Sequence, residues 1–193
     1  MSLLDKIVAS VAPPESDETR MQARHNARTQ AAPEGWVQLI LEDHERIERA
    51  FEAVKAAPDA AAQRLAELEL STLLNGHSAA EEAVIYPEMA DTDQKGHAMM
   101  GYEEQAATKV QLGLLGKLQP MSQEYLDKLE HIRGAVLHHM YQEESSWLIT
   151  LEREMLSDRQ LVLRSRYQEE MSRYSAYTRQ GTDGGSAMAW GNG

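Results

Sequence analysis

The chain has 193 residues, enough for one domain with a sizeable core plus extensions. It contains no cysteine, which excludes disulfides, zinc fingers, iron–sulfur clusters and thiol nucleophiles, and leaves any metal to nitrogen and oxygen ligands. With 31 acidic against 19 basic residues the formal net charge is −12, and without clustered Lys and Arg there is no counterion-release drive toward nucleic acid.

No stretch approaches the roughly 18 consecutive apolar residues of a membrane span, and the first residues lack a basic leader followed by a long apolar run. The expectation is a soluble, cytoplasmic protein with no membrane partner. A single Phe and abundant Ala, Leu, Glu, Gln and Met favour helix over strand throughout.

Residues 1–35 read as a lead-in arm. A short amphipathic piece ends at Pro13 and Pro14, and Ser16 or Asp17 then caps a polar helix reaching about Gln30. A strongly periodic helix follows over 36–57 and is closed by Pro58, which removes a donor and clashes with the preceding turn. Val37, Ile40, Leu41, His44, Ile47 and Phe51 share one face of it, so His44 lies at the centre of the apolar stripe. Glu48 is only about 40° round the helix from His44.

A second helix over about 59–86 places His77 and Glu81 on the same side as Leu70, Leu73, Leu74, Val84 and Ile85, while Glu82 should face outward. After Pro87 the cluster Asp91, Thr92, Asp93 starts a third helix over about 94–118. Met99, Met100, Glu103, Ala106, Ala107, Val110, Leu114 and Leu118 form one stripe of it; His97, Gly101 and Glu104 form another beside it. A fourth helix begins near Ser122 and carries Leu129, Ile132, Val136, Met140, Glu143 and Trp147, with His139 at the edge of the stripe. Ser157 and Asp158 start a fifth helix, rich in Arg, Glu and Tyr, that reaches about Tyr177, and the Gly-rich end over 181–193 reads as flexible. Connections of a few residues between the four central helices fit an up-down-up-down bundle. The resulting organisation is an arm over 1–35, a bundle over 36–152, an extra helix over 153–178 and a tail over 179–193.

The chemistry lies in a repeated spacing. His77 and Glu81, and again His139 and Glu143, stand four residues apart, a separation that puts imidazole and carboxylate one turn apart on one helix face. One histidine on an apolar face is ordinarily a hydrogen-bonded core residue. Three helices each placing a histidine in the apolar stripe, two with an acid at i+4, repeat a burial cost of several kcal/mol that packing alone does not explain. Imidazole with carboxylate suits iron, manganese, zinc or copper, and the number of donors exceeds what one tetrahedral zinc needs. It suits two octahedral ions bridged by carboxylates. His131 and His138 have no acid at i+4 and read as surface or supporting residues, and Met99 with Met100 reads as core filler.

His44 after Glu42 and Asp43, the HxxxEE of His77 to Glu82 followed by Tyr86 and Pro87, and the HxxxEE of His139 to Glu144 resemble the hemerythrin-like, or HHE cation-binding, family across roughly residues 36–152. The resemblance implies an all-α, hemerythrin-like four-helix bundle holding a non-haem di-iron centre, its two iron ions bridged by oxo or carboxylate groups, with manganese or zinc as the alternatives. The small-molecule partner it implies is dioxygen, nitric oxide or peroxide. Carried over residue by residue, it makes His44, His77, Glu81, His139 and Glu143 ligands. The third helix departs from the family, which has one or two histidines there. Here Gly101 follows His97 at i+4, and Gln105 stands after Glu103 and Glu104 where a histidine would be common. His97 and then Glu104 are the candidates on that helix, with Glu103 and Glu48 as substitutes and Glu144 as the alternative to Glu143.

Three functions are compatible with these residues. One is a di-iron protein that binds or senses a small molecule. Another is a di-iron enzyme reducing peroxide or nitric oxide, or oxidising ferrous iron, with Tyr86, Tyr102, Tyr141 and Trp147 available for proton or electron transfer. The last is an interaction bundle with incidental metal, its tyrosine-rich fifth helix forming a homodimer. The Glu-x-x-His motif of ferritin-like bundles is absent, because position i−3 holds Leu41, Leu74, Gln94 and Val136 ahead of His44, His77, His97 and His139.

Overall fold

The computed structural model describes residues 15–183, with side chains to residue 174. The amphipathic piece expected before Pro14 and the tail beyond residue 183 lie outside the described residues. Among those described, the regular structure is entirely helical. Helix α1 spans Asp17–Gln30, with the Ser16 hydroxyl accepting from the Thr19 N–H at its N-terminus. Helix α2 spans Trp36–Ala56 and stops before Pro58. Helix α3, Ala60–Ala80, is capped by the Asp59 carboxylate accepting from the Ala62 N–H. It runs on through a π-helical segment π1, Glu81–Ile85, into α4, Tyr86–Ala90. Helix α5 spans Lys95–Leu115. Helix α6, Gln123–Gln142, starts on a Ser122 cap and continues through a second π segment π2, Glu143–Trp147, into α7, Leu148–Glu154. Helix α8 spans Ser157–Asp183, several residues past its expected end.

Two apolar clusters fill the interior. One gathers Trp36, Val37, Ile40, Leu41, Val84, Ile85, Met89, Trp147 and Leu148. The other gathers Ile47, Phe51, Val54, Leu70, Leu74, Leu115, Leu129, Ile132 and Met140. Between Leu41 and Ile47 on α2, Leu74 and Ala80 on α3, and Met140 and Trp147 on α6 and π2, the buried side chains His44, His77 and Glu143 form a polar layer. The helices change from one cluster to the other there, so the layer is walled by hydrocarbon on both sides.

Helix α5 turns a different face inward from the one its apolar stripe predicts. Its buried residues are Ala98, Gly101, Gln105, Leu112 and Leu115, while Met99, Met100, Val110 and Leu114 are exposed. Glu103 and Ala106 are exposed as well. The physical reason is steric: the small face carrying Gly101 meets α4, where a Cβ on Gly101 would lie 2.7 Å from Cζ of Tyr86. Methionines at that position could not admit the ring.

Helix α8 packs against α3, π1 and α2, burying Leu163 and Tyr167. Helix α1 packs on α2, α6, π2 and α7. Both helices therefore cover the polar layer and reach into it.

Candidate metal centre

His44, on the inner face of α2, and His77, near the end of α3, bring their rings edge to face with centroids 5.1 Å apart. Glu81 and Glu143 are the first residues of π1 and π2. These four residues are buried, and one ligand atom from each falls in a group whose members all lie within 4.8 Å of one another. His44 Nε2 is 3.3 Å from Glu143 Oε2, and His77 Nε2 is 3.2 Å from Glu81 Oε2.

Neither contact is a hydrogen bond. His44 Nε2, His77 Nε2, Glu81 Oε1 and Glu143 Oε2 are all buried without a hydrogen-bond partner. A buried polar atom left unpaired costs about 1–3 kcal/mol, and four in one layer is a cost that only a missing partner accounts for. Two imidazole nitrogens and two carboxylates facing one point form a donor set for a borderline or hard cation.

The outer face of each imidazole is held so that the inner nitrogen keeps its lone pair. His44 Nδ1 is 2.8 Å from Glu144 Oε1, and Glu144 in turn accepts from Arg24 Nε at 2.7 Å. Arg24 belongs to α1 and also donates twice to Glu48, at 3.0 and 2.9 Å. His77 Nδ1 is 2.9 Å from the Tyr167 hydroxyl. Because that hydroxyl donates to Asp43 Oδ2 at 3.0 Å, its oxygen is left to accept from His77. His139 Nδ1 is 2.8 Å from Glu104 Oε2. In all three rings Nδ1–H finds an acceptor, which assigns Nε2 as the bare nitrogen.

Electrostatics points the same way. Burial holds the imidazoles of His44 and His77 well below the ordinary histidine range, so both are neutral and fit to ligate. Burial also pushes the Glu81 carboxyl up to about 8, against hydrogen bonds from Gln105 and Tyr86 that pull it down. Glu143 is pushed well up by burial and then by the nearby Glu81 and Glu144. Such a layer lacks positive charge, and a bound cation would favour the ionised carboxylates and neutral imidazoles together.

His139 stands beside this group. Its Nε2 is 3.1 Å from the Tyr86 hydroxyl and 3.5 Å from Glu143 Oε1. Tyr86 also lies 3.4 Å from Glu81 Oε2 and from Glu143 Oε1. Gln105 Nε2 donates to Glu81 Oε2 at 2.5 Å and to the Tyr86 oxygen at 2.7 Å.

Of the residues singled out by spacing, His44, His77, Glu81 and Glu143 come together, with His139 adjacent. Glu104 touches the layer through His139 Nδ1, and Glu48 pairs with Arg24 instead of facing the centre. His97 is not brought in. Its ring is exposed and stacks on Trp147, centroids 4.9 Å apart and planes within 12°. Glu103 is exposed, and Glu144 supports His44 from behind. Sequence reasoning missed Arg24, Gln105 and Tyr167. Gln105 carries a legible signal, one turn beyond Gly101 at the slot where a histidine is common. Tyr167 is marked by its i+4 spacing from Leu163 in a helix rich in charged residues, whereas nothing in the local sequence distinguishes Arg24 from its neighbours.

Residues 37–150, more than half of the chain, match the hemerythrin HHE cation-binding domain. The chain belongs to that family. The HHE domain thus coincides with the helices that build the polar layer, and α1 and α8, which lie outside the match, supply Arg24 and Tyr167 to it. A relative named DNA nickase, from Nostoc sp. (strain PCC 7120 / SAG 25.82 / UTEX 2576), is 25% identical over 122 residues, covering 62% of this chain and 34% of that protein. The chain therefore spans about a third of that relative's length. No solved structure matches it.

Proposed function

We propose that this HHE domain is a non-haem di-iron protein that binds or senses a small molecule, dioxygen, nitric oxide or peroxide, in a dry helical interior. The observation carrying this reading is the convergence of His44, His77, Glu81 and Glu143 in one buried layer, where each also has a buried polar atom without a hydrogen-bond partner. The reading takes α2, α3–π1–α4, α5 and α6–π2–α7 as an up-down-up-down bundle, which the short connections support. When bound, a pair of iron ions would supply a redox-active position for a diatomic or peroxidic ligand. The chain's part is to keep Nε2 of each histidine bare, to hold two carboxylates in a site where their charge is favoured only beside a cation, and to exclude water with the two apolar clusters.

No helix among the described residues is long and apolar enough to cross a membrane, and a cytoplasmic location remains part of the proposal. So does a homodimer through α8, whose outer face exposes Leu161 and Val162. DNA nicking fits the chain poorly: it covers only a third of the nickase-named relative, and its net charge of −12 opposes phosphate binding.

Anaerobic titration with ferrous iron, followed by elemental analysis, tests the reading. Two irons per chain are expected, with a spectral change on adding nitric oxide, peroxide or air; uptake well below two with no such change refutes it. Steady-state turnover of peroxide with a reductant would replace the binder with an enzyme using the same residues. Manganese or zinc retained in preference to iron would replace the metal.

A further inference from the structure

The carboxylate of Glu143 has different neighbours at its two oxygens. Oε2 lies 3.3 Å from His44 Nε2, whereas Oε1 lies 3.5 Å from His139 Nε2 and 3.4 Å from the Tyr86 hydroxyl. Glu81 Oε2 is similarly placed between His77 Nε2, at 3.2 Å, and the Tyr86 hydroxyl, at 3.4 Å. His139 and Tyr86 thus share with both carboxylates a second group of donors, adjoining the one that contains His44 and His77.

Helix α5 makes room for this arrangement instead of contributing a donor of its own. A Cβ at residue 101 would lie 2.7 Å from Tyr86 Cζ and 2.9 Å from its oxygen, so only glycine there lets the phenol reach the layer. One turn further on, the Gln105 amide steers it, giving one N–H to the phenol oxygen and the other to Glu81. A tyrosine kept only for packing needs one partner for its hydroxyl. This hydroxyl is within 3.4 Å of Glu81, Gln105, His139 and Glu143.

We infer that Tyr86 is itself a metal ligand: its phenolate oxygen, with His139 Nε2 and the shared carboxylates of Glu81 and Glu143, holds the second cation in the place where a histidine from the third helix is absent. The inference rests on the two-cation reading above. On binding, the cation takes the place of the phenol proton, which leaves to solvent, and no electron is transferred in that step. A phenolate donor favours the ferric state and restricts the second position to hard or borderline ions.

Wild-type protein loaded with ferrous iron and oxidised with ferricyanide should hold two irons and show a phenolate-to-iron charge-transfer band, with tyrosine ring modes enhanced in the resonance Raman spectrum. Tyr86→Phe should hold about one iron and lose both signatures while keeping its helical circular dichroism. Gly101→Ala, which leaves every donor in the chain but displaces the ring, should lose the signatures as well, and it keeps the test decisive if Tyr86→Phe fails to fold. Two irons in the wild type without a phenolate signature overturn the inference and leave the di-iron reading standing. So does a signature, or full two-iron loading, that survives Tyr86→Phe. Fewer than two irons in the wild type removes the di-iron reading, and the inference falls with it.

Discussion

The two HxxxEE segments, identical in spacing, are built into the molecule differently. In both, the acid opens a five-residue π segment, and its carbonyl accepts the N–H of the residue five positions on, Tyr86 in one and Leu148 in the other. A π turn inserts one residue and reorients the helix beyond it, a feature often found at functional sites. In the first pair the residue after the π segment returns a phenol to the layer; in the second it returns a leucine to the apolar cluster. The first histidine is backed by Tyr167 and Asp43, both buried, whereas the second is backed by Glu104, whose side chain is 27% exposed. The His77 side is closed by α8. The partner of His139 is partly exposed, and we expect small molecules and exchanging protons to arrive on that side.

Glu143 belongs to both donor groups, so its replacement should have the largest effect. Glu143→Gln is expected to abolish loading of both cations, a loss beyond the roughly 10–100-fold that changes to supporting residues cost. Elemental analysis after ferrous loading checks this, and one tightly held iron in the variant would show that the carboxylate is not shared. Next come the two supporting partners. Tyr167→Phe leaves His77 Nδ1–H and Asp43 without their buried partner and should weaken cation binding about 10–100-fold. Glu104→Gln keeps an acceptor at a partly exposed position where water can substitute, and should cost only a few-fold. Equal losses in competition titrations would remove the distinction between a closed and an open side.

The sequence made the first of these pairs easy to see and left its surroundings obscure, for physical reasons. Helix periodicity reports which residues face a core, and His44, His77, Glu81 and Glu143 fall on apolar stripes of that kind. It fails on α5, because the buried face there is set by the volume of a tyrosine on another helix; a stripe of methionines outscores a face made of Ala98, Gly101 and Gln105. Pro87, which cannot donate to a carbonyl four residues back, gives a local hint of π1. The stretch from Glu143 to Trp147 contains no equivalent. Arg24 and Tyr167 act across 120 and 90 residues of chain, on Glu144 and His77 respectively. Spacing within one helix is silent about both.

Charge provides a further contrast, between acids and imidazoles in the cation-free protein. Glu81 holds its proton in the fold up to about 8 against an ordinary 4.5, so the folded chain binds more protons than the unfolded one in that window, and stability falls as pH rises through it. His44 and His77 are depressed below their ordinary 6.5, so the unfolded chain binds more protons around and below that pH; their contribution rises with pH and levels off about one pH unit above it, once the unfolded imidazoles are neutral too. Above about 7.5 only the raised acids still change. Thermal melts of chelator-treated protein should therefore show a midpoint that falls as pH rises through about 8, and Glu81→Gln should make the fall shallower. A midpoint that rises there would mean the carboxyl is already ionised in the fold.

The smallest effect is expected where spacing and structure disagree most. Four residues ahead of Gly101, His97 has the sequence position of a ligand, yet its ring lies outside the layer and stacks on Trp147, which in turn meets His139 edge to face at 6.0 Å. Removing it takes away an exposed stacking contact, worth about 0.5 kcal/mol at a surface position. His97→Ala should then load the same number of irons as wild type, with a slightly lower melting midpoint. The loss of one iron would instead show that α5 turns on metal binding to bring His97 inward, and because that rotation would carry Gly101 away from Tyr86, a phenolate signature in the wild type would contradict it.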